Sequence, residues 1–398
     1  MKSQMVNFRN CLVSVLILFG CSSKNIEEEQ GPTHKMEFVL VDSVMVDILE
    51  PLVIDDQQLS GESFLMRGRK SRKPYLISNN GKVIKVYEVL NEGPNGIGVN
   101  GAFGYNFLGE DKWVAKDILY RYQIYDFEGE KTKVLESINL GLFGVTISSY
   151  QTFFRGFKKE DEEMLLGIEN NLFDPGFLSK GELAQSVYYD SVKTIFTYKA
   201  KDQVLKQFEA YPKTWGPRME KKFVGKSEPL FAYHRSNHQL ALLPKVGNQL
   251  FIYDFSSDEP KLLYEVALSH RFRPDVVPEI SKEAEFTSSY PRFTDLKFVG
   301  ERVLVEFKTR IPEDILLRLK AQSSRVEELP EFQEAQKTFV KTFYLVIEDG
   351  KQIGVVEGLP VPGALDFATE SGDIFINDNL EPLFEREYNV FYRLKLVR

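Results

Sequence analysis

The sequence has very few cysteines, with only Cys11 and Cys21 among 398 residues. Two cysteines cannot build the disulfide framework of a small secreted domain or the four-cysteine zinc site of a zinc ribbon. Both lie near the start, so the rest of the chain has no thiol at all. Its stability must therefore come from packing and not from cross-links.

Several other features are also missing. No apolar run reaches the roughly 20 residues that a membrane-spanning helix needs. The net charge is −8, and we interpret the single Lys/Arg-rich run, RGRKSRK at 67–73, as a solvated turn. An acidic chain without a basic face argues against a nucleic-acid partner.

The motifs of common enzyme classes are absent as well. No G-x-S-x-G elbow occurs, so an α/β-hydrolase is not supported. The glycines of EGPNGIG (92–98) do not have dinucleotide-binding spacing, and a turn is favoured there. Among the four histidines, His234 and His238 are four residues apart, which converges only on a helix. We therefore predict no catalytic residues, no cofactor and no metal site.

The start of the chain has the charge pattern of an export signal. Lys2 and Arg9 precede a short apolar run, and no acid occurs before Cys21. The residues before Cys21 resemble a bacterial lipobox, with Leu18 three positions before it and Gly20 directly before it. Phe19 departs from the usual pattern because it is bulkier. The resemblance implies that residues 1–20 are a signal peptide and that Cys21 carries diacylglycerol; an ordinary secretory signal is the alternative.

Residues 21–35 contain SSKNIEEEQGPTHK and lack hydrophobic periodicity, which predicts a flexible acidic tether. Glu27, Glu28 and Glu29 resemble the acidic export signal of surface lipoproteins in the Bacteroidota. We expect an outer membrane lipoprotein attached to the membrane through Cys21, either facing the periplasm or exposed on the cell surface.

Aromatic residues are abundant, with 31 Phe and 18 Tyr, and they favour strands. Period-two alternation recurs in hairpin-like units separated by Gly, Asn, Asp and Pro. Five complete units occupy residues 75–89, 122–138, 195–211, 250–266 and 343–359, and a sixth at 388–398 stops after one strand. Inner hairpins precede these outer pairs, for example at 102–117 and 292–307.

A closed ring explains the truncated last unit. Four-stranded sheets repeated around an axis protect their edges, and the last sheet borrows a strand from the other end of the chain. The lone strand pattern MEFVLVDSVMVDI (36–48) supplies that strand. We predict an all-β, six-bladed β-propeller over residues 36–398. The alternatives are seven blades, with one hairpin hidden in 148–195, and a pair of β-sandwiches.

One segment departs from the strand pattern. Residues 312–339 predict a helical insertion, in which Pro312 and Pro330 suit first helical positions and Glu313 and Asp314 suit the positive helix end.

Two short motifs resemble a known family. NEGPNGIGVNGAF (91–103) resembles the Gly-Pro-Asn-Gly stretch of six-bladed, TolB-like β-propeller lipoproteins of the Bacteroidota, and SSYPRFTDLKF (288–298) resembles their approach to a late blade. The function of that domain family is unknown. The resemblance implies an anchored propeller and supplies no catalytic residues.

For the function, our hypothesis is that Arg and aromatic residues on the propeller face bind a ligand. Arg can hold a carboxylate through two hydrogen bonds, and an aromatic ring can stack on a sugar or a peptide side chain. The candidate ligand-binding residues are Tyr233, Arg235, Tyr290, Arg292 and Trp215, although Tyr290 and Arg292 could instead tie blades together. We predict a non-enzymatic binding or scaffold module for a protein, peptide or glycan. A lactonase-like propeller hydrolase with a channel metal is the alternative, and a structural partner of an envelope machine is a third possibility.

Overall fold

Six four-stranded antiparallel sheets form a β-propeller in the computed structural model, which describes residues 34–142, 153–257, 259–280, 290–380 and 386–398. The predicted all-β fold with six blades is therefore confirmed. The signal peptide, Cys21 and nearly all of the tether lie outside the described residues.

Strands are numbered in chain order, and each of the first five blades uses four consecutive strands from the axis outward. Blade 1 contains β2 (Leu52–Gln57), β3 (Ser63–Gly68), β4 (Pro74–Ser78) and β5 (Val83–Val86). Blade 2 contains β6 (Ala102–Phe107), β7 (Lys112–Asp117), β8 (Tyr122–Asp126) and β9 (Lys131–Leu135). Blade 3 contains β10 (Phe154–Lys159), β11 (Glu162–Ile168), β12 (Ile195–Lys199) and β13 (Val204–Phe208).

Blade 4 contains β14 (Leu230–His234), β15 (Gln239–Leu243), β16 (Gln249–Asp254) and β17 (Lys261–Ala267). Blade 5 contains β18 (Phe293–Val299), β19 (Arg302–Lys308), β20 (Thr342–Glu348) and β21 (Lys351–Glu357). Blade 6 contains β22 (Ala364–Ala368), β23 (Asp373–Asn377), β24 (Asn389–Val397) and, as its outermost strand, β1 (Glu37–Val46). The predicted hairpins all occur, and the hairpin at 154–168 supplies the inner half of blade 3 and not a seventh blade.

The two ends of the propeller meet in blade 6. β1 pairs antiparallel with β24 from Glu37↔Val397 to Val46↔Asn389, with a bulge after Leu40. The side chain of Asn389 fixes this seam, because it accepts a hydrogen bond from the Leu52 amide and donates to the carbonyls of residues 48 and 50 at 2.7–3.0 Å. The predicted closure by residues 36–48 is therefore confirmed.

Aromatic and aliphatic side chains fill the spaces between neighbouring blades. Between blades 1 and 2, Trp113 stacks on Tyr125 at 4.2 Å and lies 4.8 Å from Tyr87. Between blades 6 and 1, Phe64 meets Phe375 edge to face at 5.2 Å. Each of the six boundaries has a hydrophobic cluster of this kind, so the core is itself a ring.

Four short helices decorate the described part of the propeller. They are α1 (Val187–Ser191), α2 (Gly216–Met219), α3 (Glu313–Gln322) and α4 (Pro330–Phe339). α3 and α4 form the predicted insertion, between β19 and β20, and enclose a small core that includes Leu319, Val326 and Ala335. Pro330 begins α4 as expected, whereas Pro312 is the residue before α3 because its ψ of 142° is extended. In the described residues, no helix is long and apolar enough to cross a membrane.

Candidate functional site

A cavity of about 620 Å³ lies on the propeller axis. The first strands of blades 1, 3, 4, 5 and 6 contribute to its wall, together with adjacent loops. The lining consists of residues 54–61, 153, 155, 168, 228–233, 235, 236, 245, 295–298 and 366–371. Ligand pockets in proteins typically measure roughly 300–1,000 Å³, so the cavity has the size of a small-molecule site.

Arg235 crosses the axis at the end of the cavity where the first strands finish. It follows β14 of blade 4, and its Nη1 lies 3.0 Å from Oδ2 of Asp56 in blade 1, the blade on the opposite side of the ring. Its Nη2 donates to the Gln57 carbonyl at 2.6 Å, and its backbone amide donates to Glu370 Oε1 of blade 6 at 2.7 Å. One arginine thus connects three blades.

Arg155 of blade 3 reaches the same acidic residues from another side. Its Nη1 donates to the Asp55 carbonyl at 2.9 Å and lies 3.7 Å from Asp56 Oδ1. Its guanidinium also lies 5.8 Å from the ring centre of Phe367 in blade 6, again across the axis. We call Asp56, Arg155, Arg235 and Glu370 the axial bridge, because together they connect opposite blades.

Burial and neighbouring charges shift the pKa values of the acids in the axial bridge in opposite directions. Burial raises the pKa of Asp56, and the charges of Arg235 and Arg155 offset only part of that rise. Burial also raises the pKa of Glu370, but Arg235 and the Ser236 hydroxyl outweigh it, so that pKa lies below its usual range. Burial lowers the pKa of Arg155. The bridge is therefore a costly arrangement that depends on every partner being present.

Further acids lie along the wall between blades 5 and 6. Asp366 Oδ2 accepts hydrogen bonds from the Ile54 amide at 3.0 Å and from Asn377 Nδ2 at 2.9 Å. Burial raises the pKa of Asp366 to about 6. Asp295 pairs with Lys297 at 2.7 Å. The wall can therefore exchange hydrogen bonds and protons with a polar ligand.

His234 is a buried side chain of this region whose polar ring atoms are not hydrogen-bonded within the described residues. It is 2% exposed, and its Nδ1 and Nε2 lie 3.5 Å and 3.6 Å from carboxylate oxygens of Glu370 and Glu301. Neither ring nitrogen has a hydrogen-bond partner in the described part of the chain. The other histidines considered for zinc are elsewhere: His238 contacts the Tyr233 hydroxyl at 2.9 Å, and His270 packs on Phe343 at 4.5 Å.

The structure separates the five residues proposed from the sequence. Tyr233 and Arg235 line the axial cavity. Arg292 is partly buried and is not among the described residues that line the cavity; burial and the charge of Arg310 lower its pKa. Tyr290 is 4% exposed, and its hydroxyl accepts a hydrogen bond from the Gly247 amide at 3.3 Å, which ties blades 4 and 5 together.

Trp215 is a core residue. It is 1% exposed, its indole N–H donates to the Val246 carbonyl at 3.2 Å, and its ring stacks on Tyr211. No face of the ring is left for a ligand.

The expectation for the basic run at 67–73 is wrong in part. Arg67, the first residue of that run, is buried and pairs with Asp55 at 2.8 Å, so the run is not wholly a solvated turn.

Most of the charged cavity residues were not predicted from the sequence. They are Asp55, Asp56, Arg155, Glu228, Lys245, Asp295, Lys297, Asp366 and Glu370. A signal was present in the consecutive acids of LVIDDQ, since two acids inside an apolar strand pattern need buried partners. The partners are far away in sequence: Arg155 is 100 residues from Asp55, and Arg235 is 179 residues from Asp56.

No protein-family model matches the chain, and no curated protein matches its sequence. Solved structures do match its fold. One is a member of the DUF4221 family from Bacteroides vulgatus, with a TM-score of 0.62 at 12% identity over 91% of this chain and 98% of that one. At this identity the likeness shows a shared fold alone.

Two more distant structures also align over most of the chain. A protein from Bacteroides fragilis assigned as exported has a TM-score of 0.48 at 9% identity, covering 92% of this chain and 95% of that one. A gluconolactonase from Xanthomonas campestris has a TM-score of 0.39 at 11% identity, covering 92% and 91%. These two likenesses are too weak to support an argument about function. The fold is thus shared with a Bacteroides protein of the DUF4221 family, while the TolB-like and lipoprotein assignments stay predictions.

Proposed function

We propose that this protein is a lipid-anchored binding module of the cell envelope. Its axial cavity takes a small polar molecule, or the polar end of a peptide or glycan. The observation that carries the proposal is the axial cavity of about 620 Å³, whose wall presents charged side chains from five blades. Apolar residues such as Leu230 and Phe298 lie beside these charges, a mixture that favours specific binding of a partly polar ligand.

A binding role is favoured over the channel-metal hydrolase by how the acids are used. Asp56 and Glu370, the acids of the axial bridge, already accept hydrogen bonds or ion pairs from Arg235. A metal ion there would have to displace a guanidinium group. Within the described ranges, no three His, Cys, Asp or Glu side chains are grouped so that they could hold a metal ion.

The cavity proposal can be tested by filling the cavity. Ala368 is partly exposed and lines it, whereas Ala364, on the same strand β22, is exposed and lies outside it. Purified protein would be screened on glycan and peptide arrays, with Ala368→Trp as the blocked variant and Ala364→Trp as the matched control. We expect bound probes to be lost in Ala368→Trp and kept in Ala364→Trp. Equal binding by both variants would place the binding surface elsewhere.

The anchor is tested independently at Cys21. We expect Cys21→Ala to move the protein from the membrane fraction to the soluble fraction, because it lacks the sulfur that would carry the lipid. Cys11→Ala is the control, since Cys11 lies inside the proposed signal peptide, and it should stay with the membranes. Sedimentation of Cys21→Ala with the membranes would refute the lipid anchor.

A further inference from the structure

Lys245 differs from the other basic residues that line the axial cavity. Arg155 and Arg235 are held by the axial bridge, and Lys297 lies 2.7 Å from Asp295. Lys245 lines the cavity too, but among the described residues its ammonium group makes no hydrogen bond and no ion pair within 4.0 Å. Among the described lining residues, Lys245 is thus the basic residue whose charge has no ion-pair partner.

The position of Lys245 follows from the strand order. It lies just after β15, and its carbonyl accepts a hydrogen bond from the Phe293 amide at the start of β18, at 3.1 Å. Antiparallel pairing puts the end of a second strand beside the start of a first strand. Lys245 therefore lies at the end of the cavity where first strands begin, opposite the axial bridge.

One acid and one base act on the charge of Lys245 from neighbouring segments. Burial and the nearby Arg292 lower the pKa of Lys245, while Glu228 opposes them. Burial and Arg310 in turn lower the pKa of Arg292. Glu228 also lines the cavity, but its carboxylate accepts a hydrogen bond from Asn170 Nδ2 and is not within ion-pair distance of Lys245. Lys245 is partly buried, and withdrawing a cation from water without an ion-pair partner costs free energy that an arriving anion would reduce.

We propose that Lys245 binds an anionic group of the ligand, which is a carboxylate or a similar oxyanion. This inference rests on the proposed cavity function and specifies its ligand class. A carboxylate could belong to an acidic sugar or to the C-terminus of a peptide, and both would form the same charge-assisted hydrogen bonds. The rest of such a ligand would extend along the cavity toward Asp366 and the axial bridge.

The test compares ligands that differ only in charge. One arm uses digalacturonate against neutral galactobiose, and a second uses short peptides with a free or an amidated C-terminus. Binding is measured by calorimetry for the parent protein, for Lys245→Met, and for Lys261→Met as a matched control on the exposed outer strand of the same blade. We expect at least tenfold tighter binding of the acid form in one arm, a preference that Lys245→Met abolishes and Lys261→Met keeps.

A second measurement does not depend on choosing the right ligand. Acetylation of individual lysines, followed by mass spectrometry, reports whether inorganic phosphate or a bound acid protects Lys245. We expect protection of Lys245 and none of Lys261. Because Lys245→Met removes a partly buried charge that has no ion-pair partner, the thermal midpoint of the variant should equal or exceed that of the parent, which separates lost binding from misfolding.

Three results would overturn the proposal. They are equal binding of acid and neutral forms, a preference that survives Lys245→Met, or no protection of Lys245 by phosphate or any acid. If neutral probes bind and Ala368→Trp removes that binding, the cavity function stands while the anion site fails. If Ala368→Trp leaves all binding intact, the cavity function fails as well.

Discussion

Replacing Arg235 with methionine should destabilise the propeller strongly, because this side chain joins three blades. Arg235 is 10% exposed and its partner Asp56 is 2% exposed, so the pair is buried. Removing one member of a buried ion pair typically costs about 3–5 kcal/mol. Arg155 remains 3.7 Å from Asp56 in the variant, so we expect a loss at the lower end, about 3 kcal/mol at pH 7.

The loss should also depend on pH in a defined direction. Burial already raises the pKa of Asp56, and Arg235 is the largest influence that opposes the rise. Without Arg235, the folded-state pKa of Asp56 lies still further above its unfolded value. A carboxyl with a raised folded pKa loses stability as the pH rises through that pKa. The difference between parent and variant should therefore be smaller at pH 5 than at pH 7.

Urea denaturation at both pH values measures these effects, with Arg325→Met as the control. Arg325 pairs with Glu328 on the surface at 3.3 Å, with side chains 78% and 68% exposed, and such pairs are worth about 0.5 kcal/mol or less. A loss below about 1 kcal/mol for Arg235→Met, or an equal loss at both pH values, would show that the buried charge of Asp56 does not depend on Arg235.

Three further predictions concern the seam and the cavity wall. Asn389→Ala removes three buried hydrogen bonds to the backbone and should cost about 2–4 kcal/mol in urea unfolding; a loss under 1 kcal/mol would contradict its role at the seam. Cysteines at Val39 and Lys395, which are direct partners in the β1–β24 pair, should form a disulfide on oxidation, whereas Val39 with Arg393 should not; equal cross-linking would refute the register. The pKa of Asp366 is about 6, so its contribution to stability fades as the pH rises through 6. Asp366→Asn should therefore gain about 1 kcal/mol relative to the parent between pH 5 and pH 7, and parallel pH profiles would argue against that pKa.

The ring could be predicted from the sequence because its signals are local. Each outer hairpin has alternating apolar residues and a tight turn, and Gly81 shows why the turns are marked so clearly. It has a φ of +89°, and a Cβ there would lie 1.9 Å from the Met45 carbonyl oxygen of β1. Only glycine fits both demands. Closure by β1 followed from the incomplete last unit.

The axial site could not be predicted in the same way because its contacts are not local. The partners of Asp55 include Arg67 and Arg155, which follow 12 and 100 residues later. One partner of Asp56 is Arg235, which follows 179 residues later. A sequence pattern does not show which charged residues meet across an axis. Trp215 illustrates the opposite error, because it occurs in a loop-like stretch with Pro and Arg, yet its ring is buried. Tyr290 is buried as well and agrees with the alternative that it ties blades together.

The axial bridge and Lys245 lie at opposite ends of the cavity, and the two ends differ in how their charges are paired. At one end the charges are matched within the protein, and at the other a positive charge has no partner among the described residues. A ligand with an anionic group and a polar body would satisfy both ends.

The most direct test of the axial site is to identify what the protein carries when it is isolated from the cells that make it. Protein would be purified with mild detergent and analysed by native mass spectrometry, for the parent, Ala368→Trp and Ala364→Trp. We predict that the parent and Ala364→Trp carry a bound acidic small molecule or chain end that Ala368→Trp lacks. The same bound species on all three proteins would contradict a binding site on the propeller axis.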